Sequence, residues 1–141
     1  GMNTITINRP IVWKAIVTDR LKKELSQELE RAIGRLDMEI QQLEFQAKRV
    51  LPDLERQNLK RAMEMRQELE EEKQKRRHSR DRLADQMQEL QDLANGEEIA
   101  RGTLEGMAEV AIGDDLTKIL YVEIVTKDDQ VVEFREGRLE L

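Results

Sequence analysis

Residues 29–55 read LERAIGRLDMEIQQLEFQAKRVLPDLE, and the apolar positions Leu29, Ile33, Leu36, Ile40, Leu43, Ala47, Val50 and Leu54 step by 4, 3, 4, 3, 4, 3 and 4. That alternation keeps one stripe on one side of a helix and is the pattern of a coiled-coil seam. Pro52 then interrupts it. Proline lacks the backbone donor and disfavours helical angles at the residue before it, so a second helix is expected to start here. Asp53 and Glu55 would sit in its first turn, where negative charge is favoured. A turn within 50–57 makes residues 18–95 an antiparallel hairpin stalk, about 50 Å long at 1.5 Å per residue.

The second helix of that hairpin runs from about Asp53 to Ala94 and stops at Asn95-Gly96. Its seam is Leu59, Ala62 or Met63, Arg66, Leu69, Lys73, Arg76, Arg80, Leu83, Met87, Leu90 and Ala94, apolar at the ends and basic in the middle. Lys73, Arg76 and Arg80 thus fall opposite the stripe of Ile33, Leu36, Ile40 and Leu43. Long basic stems can cover apolar surface. A second chain bringing its own Leu and Ile covers it better, so these seven residues form the candidate interface and a homo-oligomer is expected.

Outside the helices the period changes. Apart from Gly1 and Gly34, every glycine lies beyond residue 95. Residues 3–17 contain IVWKAIV (11–17) at strand density, with Arg9-Pro10 as an interruption. Segments 98–106, 107–112, 119–126 and 130–135 read as short strands, with turns at Gly113-Asp114-Asp115 and Asp128-Asp129. So short a set of strands cannot easily stand alone. The hairpin returns the chain to its beginning, so residues 1–17 and 98–137 are assigned to one β module. The expected class is α+β, a long antiparallel coiled-coil helical hairpin inserted in a small antiparallel β sheet or barrel. Trp13, Tyr121 and Phe134 are read as the core of that module rather than as a base-stacking platform.

Composition narrows the chemistry. The chain has 141 residues, 38% charged and 3% aromatic, which suits a small module with a long appendage better than one thick core. It has no cysteine, which removes disulfides, thiolate catalysis, zinc fingers and iron–sulfur clusters. Its one histidine, His78, and its serines lie in helical sequence with no nucleophile arrangement around them. No enzyme activity, cofactor or metal is expected. No run of eighteen apolar residues and no charged-then-apolar leader is present, so the expectation is a cytoplasmic protein with no membrane span.

The stretch EEEKQKRRHSRDR (70–82) invites a nucleic-acid reading, but its charges are compensated. Residues 18–95 hold 17 Lys and Arg against 18 Asp and Glu, and residues 96–141 hold 5 against 12. A surface that tracks phosphates needs uncompensated positive potential. Nucleic acid is therefore disfavoured as a partner. Asp53 and Glu55 at the hairpin tip are arranged in a way similar to bacterial transcript-cleavage factors, and that resemblance implies a magnesium-holding role; as residues, they read first as partners of a helix dipole.

At VAIGDDL (110–116) and EIVTKDDQVVEFREG (123–137) the chain resembles the YlqD family of bacterial proteins, and IQQLEFQAKRV (40–50) fits the same layout of opening strand, charged helices and β tail. The family pattern has a glycine after the Lys-Asp of the tail hairpin, where Asp129 stands here. The resemblance implies the stalk-plus-sheet order and a cytoplasmic location, and brings no catalytic residue or cofactor with it. The functional expectation is a non-enzymatic structural or protein-interaction module that self-associates through its stalk and meets a further protein partner. The alternative is an accessory factor that binds RNA, the ribosome or RNA polymerase.

Overall fold

A computed structural model describes residues 3–137. In chain order the elements are β1 (Thr4–Ile16), α1 (Asp19–Gln57), α2 (Leu59–Asp92), β2 (Glu98–Ala111), α3 (Leu116–Leu120), β3 (Val122–Lys127) and β4 (Gln130–Glu136). The class is mixed α+β. Two compact units are present, one formed by the described residues up to Lys22 with those from Leu93 onward, the other by Lys23–Asp92.

In the helical unit, Pro52 does not restart the helix. It lies inside α1, which continues to Gln57. Its ring removes one i to i−4 bond, the one to the carbonyl of Lys48, and both residues are exposed. The chain turns at Asn58 instead. The Asn58 amide still donates to Leu54 O (2.7 Å), while its own carbonyl accepts from Ala62 N (3.0 Å) and its Oδ1 from Arg61 N (3.1 Å). Asn58 thus closes α1 and caps α2 in one residue.

The two helices run in opposite directions. Leu51, Ala62 and Leu69 are buried together, with Leu43, Ala47, Leu54 and Met65 packed around them. Every apolar position of the α1 stripe from Leu29 to Leu54 is buried or half-buried. On α2, the inward residues near the turn are Ala62 and Met65, whereas Leu59 and Met63 are 63% and 61% exposed. The registration differs from the expected seam by one residue at Arg66, which points outward.

The sheet has the order β2-β1-β3-β4. β1 pairs antiparallel with β2 and parallel with β3, and β3 pairs antiparallel with β4. Two expectations are corrected here. The sheet is not wholly antiparallel, because the connection through Gly113 and α3 steps over β1 and sets β3 down beside it. Nor is it a barrel, since β2 and β4 remain at opposite edges.

β1 also runs unbroken through Pro10, and residues 98–111 form one strand rather than two. A proline fits a strand where its nitrogen faces no ladder. β1 has such a flank at Pro10, because β3 pairs only from Ile11 onward. Pairing puts Ile5, Ile7, Ile11, Trp13, Val122, Ile124 and Phe134 on one face and Lys14, Glu123 and Arg135 on the other. Val17 and Val125 are the largest fully buried side chains. Phe134 is 73% exposed, so it is not a core residue, contrary to the reading from sequence.

Where strand passes into helix the join is tight. Val17 N donates to Glu97 O (2.7 Å) and Gly96 N to Val17 O (2.8 Å). Thr18 Oγ1 accepts from Leu21 N (3.1 Å), capping α1, and donates to Asp128 Oδ1 (2.6 Å).

Candidate functional site

The seven stalk residues face each other within one chain. Ile40 is 7% exposed and Ile33, Leu36 and Leu43 are half-buried. Lys73, Arg76 and Arg80 lie opposite, and each has an acidic partner: Lys73 with Glu70 (3.1 Å), Arg76 with Glu72 (2.7 Å) and Glu39 (3.5 Å), Arg80 with Asp37 (2.8 Å). Arg77 reaches Glu70 (3.3 Å) and Glu44 (3.8 Å). The carboxyl groups of Glu70 and Glu72 are held below the usual range, first by hydrogen bonds from Lys73 and Arg76. Most cations of the 70–82 stretch are thereby spent inside the hairpin.

The tip residues behave differently from the expectation. Asp53 and Glu55 lie in the last turns of α1, where the helix dipole disfavours negative charge. Arginines offset this, Arg56 pairing with Asp53 and Arg66 reaching across the turn to Glu55. Among the described residues, no group of three or more His, Asp or Glu side chains is gathered as a metal site would need.

Sequence reasoning missed a polar cluster on the sheet. Glu123, 6% exposed, receives Lys14 Nζ at 3.0 Å and the Tyr121 hydroxyl, with Arg135 at 3.7 Å. The Tyr121 ring lies against Gly137, where a Cβ would come within 2.3 Å of it. Arg135 forks onto Glu98 at 2.6 and 2.7 Å. The Tyr121 hydroxyl holds the Glu123 carboxyl below the usual range despite burial, and Lys14 adds to the effect. Glu123 in turn raises the pKa of Tyr121 and of Lys14. Each group is thus fixed in its ordinary neutral-pH form, a carboxylate, a phenol and an ammonium. General acid–base work needs pKa values drawn toward neutrality. Only alternation of charged residues along β1, β3 and β4 could have signalled this cluster, and their pairing was not legible.

Also missed was the outward face of α1. Arg31, Arg35, Met38, Gln42, Phe45 and Arg49 repeat the 4, 3, 4, 3, 4 spacing of the inner stripe on the opposite side, and all are exposed. Met38 and Phe45 are 62% and 65% exposed. No ion pair is formed by Arg31, Arg35, Lys48 or Arg49 among the described residues.

A model of the family described as YlqD protein matches residues 5–135. The chain belongs to the YlqD family. It is also similar to a solved structure, a crystal structure of a protein of unknown function from Synechococcus sp. WH 8102, with 25% identity, 94% of this chain and 95% of that chain covered, and a TM-score of 0.78. No curated protein matches the chain. At the tail hairpin Asp128 and Asp129 both take left-handed angles, φ 48° and 69°. That is the two-residue mirror-image turn hairpins favour, and aspartate tolerates it better than most residues.

Proposed function

We propose that this YlqD-family protein is a non-enzymatic structural or protein-interaction module whose helices form an antiparallel coiled coil and which self-associates through that helical unit. The carrying observation is the open outer face of α1, with Met38 and Phe45 exposed at its centre while the inner stripe is covered by α2. Large apolar side chains ringed by polar ones are the anatomy of an interface. The sheet cluster supports the non-enzymatic part, since its pKa shifts run away from acid–base use. Among the described residues no helix is long and apolar enough to cross a membrane, and a cytoplasmic location belongs to the same proposal.

Size-exclusion chromatography with light scattering on the full chain, over a range of concentrations, tests it. The mass must rise above 16.5 kDa with concentration, and a constant monomer mass contradicts the reading. A second reading, an accessory factor for RNA, the ribosome or RNA polymerase, draws on Arg31, Arg35, Lys48 and Arg49, which form no ion pair among the described residues. Tight, salt-sensitive binding of a single-stranded RNA by the monomer would favour it.

A further inference from the structure

The two faces of the sheet differ in cover. On the face that carries the charged cluster, Glu123 and Val125 are 6% and 0% exposed. On the other, Leu104 and Phe134 stand 47% and 73% exposed on the edge strands, with Ile11, Trp13, Val122 and Ile124 half-buried between them. A sheet buries its apolar face against a second layer of structure. That second layer has to come from outside this unit.

The strand ladders set the open face in two rows. Leu104, Ile11, Val122 and Glu136 lie side by side across β2, β1, β3 and β4, and Gly102, Trp13, Ile124 and Phe134 form the next row. At the β4 end, Phe134 and Glu136 bound a shallow cleft of about 270 Å³ that Ile11, Val122 and Ile124 also line. At the β2 end there is a gap instead of a ring, because a Cβ on Gly102 would meet nothing within 4 Å. The charges divide in the same way. The Arg101 guanidinium lies over the Trp13 ring, 5.2 Å from its centre, on the β2 side, and Glu136 lies on β4. Neither forms an ion pair among the described residues.

We infer that two copies pack sheet to sheet through this face, about a two-fold axis that runs along the strands between β1 and β3. Phe134 of each copy then lies over Gly102 of the other, and Leu104 of each enters the other's cleft. This is the aligned arrangement of two packed sheets, β1 over β3 and β2 over β4. No residue meets its own copy, and Arg101 approaches Glu136 on both sides, so the charges attract. A foreign partner would have to match the gap, the ring and both charges; a second copy supplies all of them by symmetry. The patch joins itself, so assembly through it stops at a dimer. It is separate from the outer face of α1 and does not depend on the self-association proposed there. The overlap is limited by β3, which has 6 residues. That gives roughly 20 by 19 Å per copy and, with side-chain relief, on the order of 1,000 Å² buried in total, the threshold of a specific interface. Interfaces of that size are weak, so the dimer is sought near 1 mM.

The test starts from full-length Phe45→Ser, which removes the apolar centre of the α1 face and leaves the sheet intact. Light scattering at about 1 mM is expected to approach twice the monomer mass, with little change at high salt. Adding Phe134→Glu, at an exposed position and with folding checked by circular dichroism, is expected to return it to monomer. The chain has no cysteine, so the register can be read by cross-linking. Gly102→Cys and Phe134→Cys proteins, mixed, are expected to be joined by a short bismaleimide, and each alone is not, since like positions lie on opposite sides of the axis. A Phe45→Ser protein that stays monomeric overturns the inference, and the α1 contact still stands if the wild type associates at lower concentration. A dimer that survives Phe134→Glu overturns it, and so does a mixture that fails to cross-link.

Discussion

Arg135 of β4 donates through two guanidinium nitrogens to Glu98 of β2, at 2.7 and 2.6 Å, although β1 and β3 lie between those strands. No backbone ladder joins the two edges, yet one side chain spans them. Beneath that bridge Lys14 of β1 meets Glu123 of β3, so alternate charges link all four strands. A charged cluster holds the register on this face of the sheet.

Replacing Arg135 by Ala is expected to lower the melting temperature of the sheet unit by a few degrees, and Lys to recover only part of it. A single ammonium cannot reproduce a two-pronged contact. Thermal unfolding followed by Trp13 fluorescence checks this. Equal melting of Lys and Arg proteins would show that the fork contributes nothing.

Glu123 links the cluster to pH. Its pKa in the folded chain is depressed, so its contribution is fully present above the unfolded value and disappears as pH falls through the folded one. Wild-type stability should therefore drop between about pH 5 and pH 3 more steeply than that of Glu123→Gln. At pH 7 the variant should be weaker by roughly 2 kcal/mol. Urea titrations at several pH values measure both slopes, and parallel curves would remove the assignment.

At the tail hairpin, Asp129→Gly should stabilise the protein by roughly 0.5 kcal/mol, because glycine takes a left-handed angle without steric cost. The exposed Arg20–Asp129 pair lost in the exchange, at 3.7 Å, is worth little. A lower melting temperature in the variant would contradict the turn geometry.

Two substitutions probe the helical unit. Leu69→Ala empties part of a buried cluster and should cost about 3 kcal/mol, whereas Pro52→Ala restores a helix bond and should add about 2 kcal/mol. Chemical denaturation followed at 222 nm, the helix signal, reads both. Stabilisation by Pro52→Ala would confirm that proline sits inside α1; destabilisation would mean that the turn depends on it.

The inner stripe of α1 was legible because eight apolar residues keep one spacing, and a seam of that length admits one partner face. The turn was misplaced because proline is the louder signal, whereas Asn58 acts through three hydrogen bonds that only the folded backbone creates. Strand segments were legible from β-branched density, but the parallel pairing of β1 with β3 depends on a connection that steps over a strand, which local pattern does not encode. The α1 outer face went unread because Met38 and Phe45 are sparse among charges. Their meaning comes only from knowing which arginines remain unpaired.

Sedimentation equilibrium of the full chain at tens of micromolar, compared between about 50 mM and 500 mM salt, tests most directly that copies meet through a basic helical face. Association at low salt that weakens severalfold at high salt is the predicted result. A strict monomer at both concentrations of salt would contradict the account.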